Sequence, residues 1–189
     1  MKTMNVRTLA ASVMLVAMSF AAQAQTMDNT VMVGGEAMYP TKNIIENAVN
    51  SKKHTTLVAA VKAAGLVETL QTKGPFTVFA PVNDAFENLP DGTVETLLKP
   101  ENKTTLTKVL TYHVVSGRYD YMALEKLIVA GKGMGTLKTV SGGTLIVMKN
   151  GAHNIIVKDE SGNIATISTY DVIQSNGVIH VIDTVLLPK

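Results

Sequence analysis

Gly74–Phe86, GPFTVFAPVNDAF, runs from an apolar, β-prone stretch into an abrupt Ala-Pro, and then into an amide and a carboxylate, Asn83 and Asp84. Within it, Phe76, Val78 and Ala80 fall on one side and Thr77 and Phe79 on the other, the two-residue period of a strand. Pro81 lacks a ladder donor and disfavours a helical Ala80, so the strand ends there. A short helix is expected from Val82 or Asn83, with Asp84 in its first turn facing the positive end of the helix dipole. Asn83 takes over the capping role that Val82, with no polar side chain, leaves open. On this reading the carboxylate belongs to a strand-to-helix hinge, and Asn83 or Asp84 is expected to reach His113.

The period is helical before the hinge. NIIENAVN sets Ile44, Ile45, Ala48 and Val49 on one face, and TTLVAAVKAAG repeats the pattern with Leu57, Ala60, Val61 and Ala64 before Gly65 stops it. LVETLQ adds a short turn. Beyond the hinge, Asp91 is placed to cap GTVETLLK, and Pro100 heads ENKTTLTKVL, whose buried stripe is Leu106, Val109 and Leu110. YMALEKLIVAG is the last helix, closed by Gly131. There the period falls to two. GTLKTV, TLIVMK, NIIVKD, IATIS and GVIHVID form short strands, punctuated by SGG, NG, SGN and SNG turns. Helices followed by a meander predict an α+β domain, which FTVFA must join from far away in sequence. No repeat or Pro/Gly linker divides it.

Residues 1–24 have the layout of a secretory signal peptide: Lys2 and Arg7, an apolar run over Leu9–Phe20, and Ala22-Gln23-Ala24 as the cleavage site. Residues 25–40 are expected as a flexible lead-in, and 41–189 as the domain. Cleavage near Ala24 sends a secreted or periplasmic protein of 165 residues on its way, with no transmembrane segment in the mature chain. It carries fifteen Lys+Arg against fifteen Asp+Glu, so nucleic acid is not an expected partner. The chain has no cysteine, which excludes disulfides and thiol chemistry.

No G-x-S-x-G elbow is present. GKGMG, Gly131–Gly135, follows a helix and precedes a strand, the wrong order for a phosphate loop and the right one for a helix stop. Of four histidines, His153 sits at a solvated turn and His54 is placed to help cap a helix. His113 and His180 are each expected in an apolar strand, LTYHVV and GVIHVID, where an imidazole needs partners for both nitrogens. Two rival chemistries remain open. One is a hydrolase-like or metal-binding site using His113 or His180 with Asp84 or Asp183. The other is copper(I) held by Met27, Met32 and Met38.

TVFAPVNDAF (Thr77–Phe86), LTYHVVSG (Leu110–Gly117) and SNGVIHVIDTVLLP (Ser175–Pro188) resemble, in order and spacing, the blocks of the fasciclin domain. The resemblance spans about Thr41 to Pro188 and is closest to the small secreted bacterial type. It implies a β-sandwich or wedge of about seven strands with helices packed on it, mainly from the N-terminal half. It also implies a non-catalytic module of cell adhesion or envelope and biofilm matrix contact, monomeric and without cofactor, whose partner is a cell-surface or matrix protein or a polysaccharide. The family's binding motifs carry over to Tyr112 and His113, and more loosely to Asp171 and Val172. Asn83, Asp84, His180 and Asp183 fall in its structural blocks. Where the family has Thr or Ser, this chain has Val82.

Overall fold

The computed structural model describes residues 30–189, so the expected signal peptide and the first residues of the lead-in lie outside the described residues. The description opens on a hairpin, β1 (Val31–Val33) and β2 (Glu36–Met38), joined through Gly34-Gly35 at φ 65° and 81°. This corrects the flexible lead-in over that part. The glycine pair makes a tight turn, and Val33 and Met38 are buried by it. Three helices follow: α1 (Ile44–Ala48), α2 (Thr55–Ala64) and α3 (Val67–Gln71). Asn43 and Glu46 close a reciprocal capping box on α1. Leu57, Ala60, Val61 and Ala64 form the buried face of α2.

The hinge is built as expected, from β3 (Phe76–Pro81) into α4 (Asn83–Glu87). Then come α5 (Thr93–Leu97), a 3-10 turn at Pro100–Asn102 and α6 (Lys103–Tyr112). The residue before α5 is Gly92 at φ 76°, and Asp91 does not cap it. Helix α6 also overrides the strand expected at LTYHVV. His113 caps its C-terminus, because it continues the helical period of Leu106 and Leu110, and β4 (Val114–Ser116) starts only afterwards.

The remaining elements are α7 (Tyr121–Ala130), β5 (Met134–Lys138), β6 (Thr144–Asn150), β7 (Asn154–Lys158), β8 (Ile164–Gln174) and β9 (Gly177–Ile182). IATIS was expected to be short. Register shifts between Ile167 and Val172 let β8 bend and run on to Gln174.

Seven strands form one mixed sheet in the order β4-β3-β9-β8-β7-β6-β5, antiparallel except for the β3–β9 pair. That parallel pair sits inside the sheet, where nearly every position of both strands is buried. A bridge from Val115 to Thr139 draws β4 toward the end of β5, so the sheet curls back on itself. Alternation along β3 divides the core. Val78 and Ala80 pack with the hairpin and α1–α3, while Phe79 packs with Tyr112, α7 and the β5–β8 interior. The result is an α+β, seven-stranded wedge with helices mainly in the N-terminal half.

Candidate functional site

The side chains singled out in the sequence fall into three neighbourhoods of this core. Tyr112 and His113 end α6 beneath the last segment of the chain. The Tyr112 hydroxyl donates to Thr144 O at 2.8 Å and accepts from Glu160 N at 3.0 Å. The residue is wholly buried, and burial pushes its hydroxyl up to about 12. His113 Nδ1 lies 2.9 Å from Val109 O, a pure acceptor, so Nδ1 carries the proton; Nε2 accepts from Leu186 N at 2.9 Å. Burial holds this imidazole down at about 4. It is neutral, with both nitrogens engaged by backbone. Neither Asn83 nor Asp84 reaches it, contrary to the expectation for the hinge.

Asn83 turns the other way, because α4 leads away from His113 toward the start of α2. Its Oδ1 accepts from Thr56 N at 3.1 Å and Thr55 Oγ1 at 3.2 Å, and its Nδ2 donates to Lys52 O at 2.9 Å. Asn83 thus caps α2 rather than its own helix, which has no side-chain cap at Val82. His54, expected to cap α2, does not. Its Nδ1 pairs with Ser51 Oγ at 2.8 Å, and Nε2 has no partner among the described residues. Asp84 is exposed in the first turn of α4.

The third neighbourhood surrounds His180. Its Nε2 donates to Tyr119 O at 2.7 Å, and its Nδ1 accepts a long bond from Asp171 N at 3.4 Å. The ring stacks on Phe79 with centroids 5.7 Å apart, and burial lowers its pKa. Asp171 stands at φ 54°, in left-handed backbone at the bend of β8. Its Oδ1 accepts from Tyr121 N at 2.7 Å while Asp120 Oδ1 accepts from Ala123 N at 2.8 Å, so two carboxylates share the N-terminus of α7. Val172 is buried. Asp183 lies elsewhere, exposed, accepting from Thr166 N at 2.7 Å. The structure therefore brings His180 and Asp171 together and keeps His113, Asp84 and Asp183 apart.

Among the described residues no three His, Cys, Asp or Glu side chains gather as a metal-holding group. An apolar cavity of about 50 Å³ lies between α1–α2 and the sheet, reached by His54 and His113. That volume is several-fold below the range of ordinary small-molecule pockets. Two residues escaped the sequence reading. Asn176, in the SNG turn, accepts from Ile44 N at 3.0 Å and donates to Leu70 O and Thr72 O, tying α1 and α3 to the β8–β9 turn. Arg118 clips the same turn through Gln174 O and Gly177 O, both at 3.1 Å. The turn dipeptide was the signal for Asn176, but only the fold reveals its partners.

Comparison with known proteins bears on the same elements. A family model described as the Fasciclin domain matches residues 52–188. A Synechocystis protein is 46% identical over 169 residues, covering 88% of this chain and 85% of that one. The transforming growth factor-beta-induced protein ig-h3 of Sus scrofa is 34% identical over 152 residues, 79% of this chain and 20% of that protein. The Immunogenic protein MPB70 of Mycobacterium bovis is 34% identical over 146 residues, 75% and 66% of the two chains. Among solved structures, a FAS1 domain pair from the insect cell adhesion molecule Fasciclin I superposes with a TM-score of 0.69 at 19% identity, covering 79% of this chain and 52% of that one.

Proposed function

Because the chain belongs to the fasciclin family, we infer that it works by binding, as a non-catalytic module of adhesion type. Its residues 1–24 direct export and are removed near Ala24, a short lead-in follows, and the hairpin from Val31 packs on residues 41–189 to complete the binding domain. In that compartment, secreted or periplasmic, the partner is a cell-surface or matrix protein or a polysaccharide.

The observation that carries this reading is the state of the buried imidazoles. His113 and His180 are both neutral, and both nitrogens of each are taken up by backbone groups. Neither shares a solvent-open cleft with a carboxylate, as general acid–base catalysis requires. The carboxylate nearest His180, that of Asp171, is committed to capping α7. One structural neighbour comes from a cell adhesion molecule, which points the same way. Tyr112, His113 and Val172 lie under the surface, so their part in binding is to hold its shape, and the half-buried Asp171 is the one of the four within reach of a partner.

Retention of the purified protein on cells, on matrix proteins and on immobilised polysaccharides tests this. Saturable retention on at least one of these supports is expected. Passage through all of them unretained would overturn the reading.

A further inference from the structure

The outward side of the β5–β8 sheet departs from the usual pattern. An antiparallel sheet with one face in the core ordinarily turns polar side chains to water on the other. Here the inward positions are apolar, as expected, but five of the outward ones are apolar as well. Met134 stands opposite Met148, and Met148 opposite Ile156. In the next row Ile146 stands between Thr136 and Lys158, and Lys158 is opposite Ile164. Met134 is 57% exposed and Ile164 50%, and Met148, Ile146 and Ile156 are half-buried. Met134, Met148, Ile146 and Ile156 thus form one solvent-facing patch, with Ile164 just beyond Lys158, of the size at which exposed apolar surface is often functional.

The margin carries both signs of charge. Lys138 lies on the outward face of β5 at the edge, and Lys158 stands within the patch between Ile146 and Ile164. Glu160 follows Lys158 by two residues and accepts from Thr144 N, and Asp183 accepts from Thr166 N beside β8. A balanced rim gives an anionic bilayer no electrostatic gain. The absence of aromatic side chains from these outward rows leaves no stacking platform for a sugar ring. An apolar centre within a rim of mixed charge is instead the anatomy of a self-complementary interface.

We propose that this face is where two copies of the chain pair, sheet against sheet about a two-fold axis. The proposal replaces the monomer expected from the sequence and stands independently of the adhesion reading. Four strands about 4.8 Å apart and about seven residues long make a face of roughly 450 Å² per copy. Both copies together come to about 900 Å², short of the ~1,200 Å² of a stable complex, so the pair is weak and concentration-dependent.

The test uses a single cysteine in a chain that has none. Met148→Cys, at the middle of the patch between Met134 and Ile156, is expected to form a disulfide-linked dimer under mild oxidation. Val129→Cys, on the exposed face of α7 and equally free to react, is expected to remain single. Sedimentation of the unsubstituted protein is expected to show a mass rising toward twice the monomer between about 1 µM and about 1 mM. Ile146→Lys should weaken that association at least tenfold with an unchanged circular dichroism spectrum. If Ile146→Lys fails to fold, Thr136→Glu at an exposed position makes the same test. A monomeric mass throughout, or equal cross-linking of both cysteine variants, overturns the proposal. So does a protein that stays monomeric but sediments with phosphatidylglycerol vesicles.

Discussion

His113 is held neutral because its two hydrogen bonds, to Val109 O and from Leu186 N, admit only the Nδ1–H tautomer in a fully buried site. Its pKa of about 4 in the folded chain lies below the 6.5 of an unfolded histidine. Between those values the unfolded chain binds the extra proton, so the stabilisation is present above pH 6.5 and is lost as pH falls toward 4. The shift corresponds to about 3 kcal/mol. His180 and His54 are lowered by burial in the same direction and add to the loss. Denaturant unfolding at pH 7.5 and pH 4.5 is expected to show a much smaller difference for His113→Gln than for the unsubstituted chain. Equal differences would refute the assignment. Asp171 yields a second residue-scale prediction. Asp171→Asn keeps both an acceptor for Tyr121 N and tolerance of left-handed backbone, whereas Asp171→Ala loses both and should cost about 2 kcal/mol more in thermal or denaturant unfolding. Burial of His113 and His180 was legible from their apolar neighbours. Their partners were not, because the bonds to Leu186 and Tyr119 are made by backbone far off in sequence.

Among the elements, the strand-to-helix hinge divides its work unexpectedly. β3 supplies two oppositely facing apolar rows to two halves of the core, and α4 brings Asn83 back onto the start of α2. Asn83→Ala removes the acceptor for Thr56 N and the donor to Lys52 O, and is expected to lower global stability by about 1–2 kcal/mol. Amide hydrogen exchange should localise that loss to the first turn of α2. Faster exchange confined to α4 would instead mean that Asn83 serves its own helix. Helix periods in α2 and α7 and strand periods in β5–β7 were readable, since one face of each is buried and the other wet; in α1, Ile44 and Ile45 are buried as expected, but Val49 is exposed and Asn47 takes the buried place. The end of α6 was misread, since HVV is as β-prone as it is helical, and only the C-cap of α6 places the break after His113. The hairpin at residues 31–38 was hidden for a similar reason, as its Gly-Gly turn has the composition of a loose connector.

At the scale of the molecule, the helical layer and the curled sheet enclose His54, His113 and His180 rather than presenting them. The parallel contact of β3 with β9 sets the hinge beside the last long strand, and Asn176 and Arg118 lock the β8–β9 turn to α1, α3 and the segment after β4. Replacing Asn176 by Ala leaves Ile44 N and two carbonyls unpaired and should cost roughly 2–3 kcal/mol, read as a lower midpoint in denaturant. The family resemblance was legible at this scale from three sequence blocks, which are the strands and turns that make this closure. Surface patterns such as the Met–Ile face of β5–β8 were not, because they depend on which strands become neighbours. The proposed binding module acts by contact, without turnover. The most direct measurement of this is surface attachment of the source cells with the gene deleted and then restored. The claim predicts that attachment falls on deletion and returns with the restored chain. Attachment unchanged by deletion would contradict it.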